Sequence, residues 1–190
     1  MKYDILLAGV GGQGVLSIAA IIAQAAMAEG LQVRQSEVHG MSQRGGGVQA
    51  HLRISDSEIY SDLIPKGGAD MILSMEPLES LRYLEFLCPQ GVLITSSVPF
   101  ENITNYPDIS ELHKKIKKIP HSVLVDSKSI ASVAGNLRSE NMVLVGAALN
   151  HIPIQKKTVE TAVCNRFGSK DPRLVDINCT ALAMGTEVLA

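Results

Sequence analysis

The chain has 190 residues, of which 46% are apolar and 19% charged, a balance that suits one globular domain over 1–190 and excludes a disordered chain. Seventeen basic and nineteen acidic residues leave a formal charge of −2, which offers no basic footprint for nucleic acid and no polybasic run for anionic lipid. With 4% aromatic residues and no Trp, a base-stacking surface is excluded as well.

Residues 5–28 carry no charge, and Ala26-Met27-Ala28 has the look of a cleavage site, so an exported or membrane-spanning start has to be weighed. Asp4 spoils a basic leader, and Gly9, Gly11, Gly12 and Gly14 break the apolar run. Strand, turn and helix is the better reading. Asp4 to Ala8 suits a buried parallel strand, 9–14 a turn, and Val15 to Glu29 a helix stopped by Gly30, with a second strand from Val33: a β–α–β opening.

A glycine-rich loop follows at 39–47. Val48, Ala50, Leu52 and Ile54 then alternate with Gln49, His51, Arg53 and Ser55, the period of a half-buried strand. Asp56-Ser57 predicts a tight turn, with 58–64 returning to complete a hairpin. Met71 to Leu73, Gly91 to Thr95 and Ser122 to Val125 read as further strands. Pro77 can open a helix, since proline at the first helical position loses no needed hydrogen bond. Leu112, Ile116 and Ile119 make a helical stripe, and 142–149 reads as a helix buried on several faces. Asp171-Pro172 predicts an N-cap and first residue for a last helix carrying Leu174, Ile177, Ala181, Met184 and Val188. The expected fold is α/β: a three-layer, Rossmann-like, mixed but mostly parallel sheet with one antiparallel hairpin.

Gly9-x-Gly11-x-x-Gly14 stands where a strand gives way to a helix. Glycines there permit a tight turn and close approach of a phosphate, which the free N–H groups of the helix start attract. Gly9, Gly11, Gly12, Gln13 and Gly14 are therefore the candidate cofactor-binding residues; the plainer reading is that the glycines serve close helix–strand packing. Glu37, at or just past the end of the second strand, is available to a ribose. Downstream of that strand, Glu37, His39, Ser42, Gln43 and Arg44 gather acid, imidazole, hydroxyl, amide and guanidinium at an edge where open α/β sheets bind ligands. They form a candidate substrate or interface loop. Glu76 and Glu79 fit the dipole at a helix start. No histidine pair has the H-E-x-x-H spacing and no Ser sits in a G-x-S-x-G elbow, so no structural zinc, metal site or catalytic residue is assigned. Cys88, Cys164 and Cys179 are odd in number and form no C-x-x-C. They suit a reducing cytoplasm and read as small core residues.

The run Gly9-Val10-Gly11-Gly12-Gln13-Gly14-Val15, followed by Ser36-Glu37-Val38-His39-Gly40-Met41-Ser42-Gln43-Arg44-Gly45-Gly46, resembles the gamma-type domain of 2-oxoacid:ferredoxin oxidoreductases, and within them the indolepyruvate type. Ala69-Asp70 and Ser74 to Arg82 extend the resemblance, which covers essentially the whole chain; Gly47 departs from the small hydroxyl residue of the pattern. The resemblance implies an enzyme that turns a 2-oxoacid, coenzyme A and oxidised ferredoxin into an acyl-CoA, carbon dioxide and reduced ferredoxin. Thiamine diphosphate, its Mg ion and 4Fe–4S clusters would belong to a large alpha subunit. Three cysteines cannot ligate such a cluster, and no Gly-Asp-Gly start of a thiamine-diphosphate metal motif is present. The chain is thus expected to bind none of these cofactors alone and to act as the smaller partner. The competing readings are a stand-alone NAD(P)- or flavin-binding oxidoreductase and a ligand-free interaction module.

Overall fold

The computed structural model describes residues 1–39, 45–168 and 172–188. Its strands are β1 (Lys2–Val10), β2 (Gln32–His39), β3 (Gly47–Ser55), β4 (Ala69–Ser74), β5 (Leu87–Ser96) and β6 (Ser122–Val125). Its helices are α1 (Val15–Ala28), α2 (Pro77–Arg82), α3 (Ile109–Ile116), α4 (Ser127–Val133), α5 (Glu140–Ala148), α6 (Lys156–Phe167) and α7 (Pro172–Thr186). The strands form a six-stranded sheet in the order β2-β3-β1-β4-β5-β6. β3 runs antiparallel to both of its neighbours, while β1, β4, β5 and β6 pair in parallel.

Apolar runs without alternation explain the buried strands. Ile5, Leu6 and Leu7 are all sealed from solvent because both faces of the sheet are covered. Ile5, Leu7, Met71, Leu73 and Ile94 point to the side of α1, α5, α6 and α7; Leu6, Ile72 and Leu93 point to the opposite side, where Ile116 of α3 closes a smaller core. These are the three expected layers.

The hairpin is real, but it lies elsewhere. β2 and β3 form it across the glycine-rich loop, with Gln32 opposite Ser55 and His39 opposite Val48. Residues 58–64 form no strand. The cause is the polar side of β3, which is buried and not half-exposed: His51 and Ser55 are each 3% accessible. Arg53 donates through Nη1 to the carbonyls of Ser61 and Leu63, and His51 Nδ1 accepts the Ile64 N–H. These bonds draw 61–64 over the sheet face, not along its edge. Arg53 also grips the fully buried Asp4 with Nε and Nη2, at 2.9 and 3.1 Å. Lys2 Nζ meets the same carboxylate at 2.9 Å, and since a buried carboxylate left alone would cost about 3–5 kcal/mol, the two cations together keep Asp4 in the joint between β1 and β3.

The insertion of β3 also changes the opening unit. β2 runs parallel to β1 but is not its neighbour, so Glu37 sits on the edge strand, exposed, facing Ala50 across the ladder. Two interstrand spacings, about 9–10 Å, separate β2 from β1. The ribose contact expected of an acid on an adjacent strand is not built this way.

Several local readings agree with the structure. Glu29 ends α1 before Gly30, whose φ is +80°. Pro77 opens α2 behind Glu76, whose carboxylate accepts the Glu79 N–H. Leu112 and Ile116 are buried, and so is α5 from Met142 to Ala148. α7 begins at Pro172, while its expected cap Asp171 lies outside the described residues. Its buried stripe is Asn178, Ala181, Leu182 and Gly185; Leu174, Ile177, Met184 and Val188 are only half-buried. The face rotates because α7 crosses α5 at two glycines. A Cβ on Gly146 would lie 2.1 Å from the Leu182 carbonyl oxygen, and one on Gly185 would lie 2.1 Å from that of Val143. The cysteines differ in part from expectation: Cys164 is exposed, Cys88 is partly exposed, and Cys179, also partly exposed, packs against the edge of the main core. Among the described residues no helix is long and apolar enough to cross a membrane.

The α5–α7 crossing sets a clear expectation. Alanine in a helix interior gains about 1 kcal/mol over glycine, but a clash with backbone, which cannot rotate away, costs about 3 kcal/mol or more. Gly146→Ala and Gly185→Ala should each lower the melting temperature by about 5 °C or more, followed by circular dichroism. An unchanged or raised midpoint in both variants contradicts the close crossing.

Candidate functional site

The turn after β1 is built by glycines with different duties. Gly9 is still in the strand, where a Cβ would meet Val15 Cγ2 at 2.8 Å and Met75 Cβ at 3.0 Å. It allows α1 to close on β1 and β4. Gly11 donates to the Gly46 carbonyl at 2.8 Å and accepts from the Gly45 N–H at 3.2 Å, extending the β1–β3 ladder. Gln13 spends its amide within the fold: Oε1 accepts the Val10 N–H and Nε2 donates to the Met75 carbonyl. Gly12 and Gly14 adopt φ of +106° and +89°, which turns the chain into α1. Their N–H groups, with those of Val15 and Leu16, meet no acceptor among the described residues. α1 has neither a side-chain cap nor an acidic residue in its first turn. Four free donors at the head of a 14-residue helix attract an anion through hydrogen bonding and the helix dipole.

Clefts open on both sides of this turn. One, of about 400 Å³, is lined by Val10, Gly11, Val15, Leu16, Ser17 and Val48. The other, of about 530 Å³, lies over the carboxyl ends of β1, β4, β5 and β6, where Gly12, Gln13 and Gly14 face Phe100, Lys128, Arg138 and Asn141. The chain runs outward from β1 to one side of the sheet and then from β4 to the other, so this is the switch point at which open α/β sheets hold ligands. Lys128 and Arg138 are exposed and form no ion pair among the described residues. Asn141 Oδ1 is buried without a donor.

The second wall is fixed by carboxylates. Glu76, 1% accessible, accepts from the Phe100 N–H and the Tyr106 hydroxyl, and so holds the segment after β5 against the start of α2. Burial and the Glu76 carboxylate both raise the Tyr106 phenol, which stays neutral. Ser127 links Ser96 to Glu140, at 2.8 and 3.2 Å, and ties α4 and α5 to β5. Burial raises the Glu140 carboxyl, and Ser127 and Lys128 oppose the shift. Glu79 does more than face a helix dipole. Its Oε1 meets Arg82 Nε at 3.1 Å, but its buried Oε2 has no donor. A Cβ at Gly47 would lie 2.9 Å from that oxygen, so any side chain at 47 would press the carboxylate aside.

Of the residues marked from sequence, the fold brings the 11–14 turn against Gly45 and Gly46, and Asn102 adds a 2.7 Å bond to the Gly45 carbonyl. Glu37 is at the edge. His39 ends β2, opposite Val48. Ser42, Gln43 and Arg44 lie outside the described residues. Lys128, Arg138 and Asn141 escaped notice because each is an ordinary polar residue in its own stretch; their position downstream of β6 was the available signal. Among the described residues no three His, Cys, Asp or Glu side chains gather as a metal site.

Comparison with known proteins bears on this architecture. The family model for pyruvate ferredoxin/flavodoxin oxidoreductase matches residues 4–188. Indolepyruvate oxidoreductase subunit IorB of Archaeoglobus fulgidus is 39% identical over 194 aligned positions, covering 97% of this chain and 94% of the relative. The gamma subunit of a keto/oxoacid ferredoxin oxidoreductase from Geobacter sulfurreducens superposes with a TM-score of 0.75 at 26% identity, over 99% of this chain and 96% of that one. A 2-oxoglutarate:ferredoxin oxidoreductase from Magnetococcus marinus, solved with 2-oxoglutarate, coenzyme A and succinyl-CoA, shares the fold with a TM-score of 0.77 at 21% identity. The match covers 98% of this chain and 31% of that longer chain.

Glu79 provides a pH signature for the wall beside the turn. Burial raises its carboxyl above the ordinary 4.5, Arg82 opposing and Glu76 reinforcing the shift. The native state therefore holds this proton more tightly than the unfolded chain. The associated stability is full below pH 4.5 and is lost as pH rises through the higher native value. Glu79→Gln should gain on the parent protein as pH rises from about 4 to 7, measured by denaturant unfolding across that range. Parallel pH profiles for the two proteins would contradict an orphaned buried carboxyl.

Proposed function

The chain belongs to the pyruvate ferredoxin/flavodoxin oxidoreductase family, and on that premise we propose that it is the small, cluster-free subunit of an indolepyruvate-type oxidoreductase. It is a subunit of a multi-subunit oxidoreductase. Residues 1–190 serve as one gamma-type domain, in the cytoplasm. The complete enzyme decarboxylates an aryl 2-oxoacid oxidatively, passes the electrons to ferredoxin and hands the acyl group to coenzyme A.

One observation carries the division of labour. A chain with three cysteines lacks the four thiolates of a 4Fe–4S cluster. The residues present do not fit that group, and among the described residues no three His, Cys, Asp or Glu side chains gather as a metal site. Electron transfer and decarboxylation are therefore assigned to a large alpha subunit.

What this chain supplies is a binding edge. The free N–H groups of Gly12, Gly14, Val15 and Leu16, with Lys128 and Arg138 across the cleft, suit the phosphates of coenzyme A. Asn141 Oδ1 suits a hydrogen-bond donor of the same ligand, and Phe100 and Leu137 its apolar portion. Glu37, His39, Ser42, Gln43 and Arg44 are assigned to contacts with the substrate or with the large subunit. Leu16, Phe100, Ile103 and Leu137 are exposed around it, an apolar rim that the large subunit would cover. A stand-alone NAD(P)- or flavin-binding role is disfavoured by Glu37, which sits two strands from the glycine turn.

Co-expression with the large subunit tests the reading. The complex should reduce ferredoxin or a dye with arylpyruvate and coenzyme A, while this chain alone is inert. Arg138→Ala should raise the KM for coenzyme A about tenfold with little change in kcat, the loss of roughly 1.4 kcal/mol from one charge-assisted contact. Arg44→Ala should lower turnover of the complex. Activity of the isolated chain refutes the subunit assignment; unaltered kinetics in both variants refute the binding edge.

A further inference from the structure

α6 and α7 leave a pair of thiols outside the site just described. Cys164 and Cys179 stand 15 residues apart in sequence, one on each helix, and their Sγ atoms approach to 4.0 Å. Cys164 is exposed and Cys179 partly so, which means that a small reagent reaches the first sulfur directly. Both side chains hang from helix, and the gap exceeds the length of a disulfide by about 2 Å. Cys88 lies on β5 and shares no such contact with another cysteine. The sulfurs cannot form a metal site of three or more ligands from the described residues around them.

We propose that Cys164 and Cys179 are a modification site, closing to an intrachain disulfide by exchange with a low-molecular-weight disulfide such as oxidised glutathione. Cys164 loses its proton, and the thiolate attacks one sulfur of the reagent. The reagent's S–S bond breaks, one glutathione leaves as thiolate and takes up a proton, and Cys164 carries a mixed disulfide. Cys179 then loses its proton and attacks the Cys164 sulfur. The bond to the second glutathione breaks, and that thiolate is protonated in turn. Two protein thiols give up two electrons, and one glutathione disulfide becomes two thiols.

The order of attack follows from the surroundings. Burial, with Cys164, Glu160 and Asp176 nearby, pushes the Cys179 thiol up to about 11. It is a slow first nucleophile, suited to resolving an adduct already formed beside it. The closed loop would tie α6, which packs on α1, to α7, which crosses α5. Those are the helices behind the two sides of the glycine turn.

The full chain equilibrated with oxidised and reduced glutathione in graded ratios, then alkylated and digested, gives the test. The expected product is a Cys164–Cys179 cross-linked peptide, with Cys88 alkylated and the chain lighter by two hydrogens. Cys179→Ser should instead accumulate glutathione on Cys164, the adduct that Cys179 resolves in the parent. The oxidised chain should melt about 5 °C or more above the reduced one, since a loop of this size restricts the unfolded state. A stable glutathione adduct on Cys164 in the parent protein, or cross-links only between chains, overturns the proposal.

Discussion

The double backbone bond between Gly11 and residues 45–46 is the joint on which this molecule depends. It carries the ladder of β1 and β3 one step past the end of the strands, and so sets two glycine-rich segments, more than thirty residues apart in sequence, against each other. Gly45 takes a φ of +76°, a left-handed conformation that favours glycine. The full ladders of β3 with β1 and with β2 put β3 between them, which removes Glu37 from the neighbourhood of the turn. This arrangement also frees Gly12, Gly14 and the first residues of α1 to present unpaired N–H groups to the cleft.

A second constraint works from the opposite end of the sheet. Asp4, Arg53 and His51 place charge and imidazole where an alternating strand would have met water. The fold answers by laying residues 61–64 over Arg53 and His51, their carbonyls and N–H the matching partners, while Arg53 and Lys2 hold Asp4. Polar groups thereby become part of the core at modest cost, because each is bonded. On the site side the same principle is kept for Glu76, Ser96 and Ser127, and relaxed for Glu79 Oε2 and Asn141 Oδ1. These two acceptors sit on either wall near the glycine turn, and Gln49 Oε1 on β3 is a third buried oxygen without a donor among the described residues.

The reading as a cluster-free subunit rests on combining what the chain resembles with what it lacks. A family whose chemistry needs iron–sulfur thiolates and thiamine diphosphate is represented here by a fold with three cysteines and a cation-rimmed cleft. The proposed role of such a part is to position an anionic co-substrate and to cover an active site, because three cysteines are too few to ligate a 4Fe–4S cluster. The thiol pair on α6 and α7 lies on the same side of the sheet as α1 and α5, away from the proposed binding edge.

Local patterns carried much of the fold. Unalternating apolar runs marked β1 and β4, Gly30 and Pro77 bounded helices, and the full apolarity of 142–148 announced a buried helix, because each signal depends on residues within one or two turns of chain. The glycine turn was legible for the same reason. Position in the sheet was not. Nothing within Gln49 to Ser55 says that its polar face will be roofed by 61–64, and nothing near Glu37 says that another strand will intervene. The approach of Cys164 to Cys179, the crossing of Gly146 on Gly185 and the convergence of Lys128, Arg138 and Asn141 on the glycine turn are likewise contacts between elements. The sequence by itself determined the elements, the glycine motifs and the family; the tertiary structure alone decided which of those residues meet. Strand order and helix crossing are settled by long-range packing, and no local periodicity encodes them.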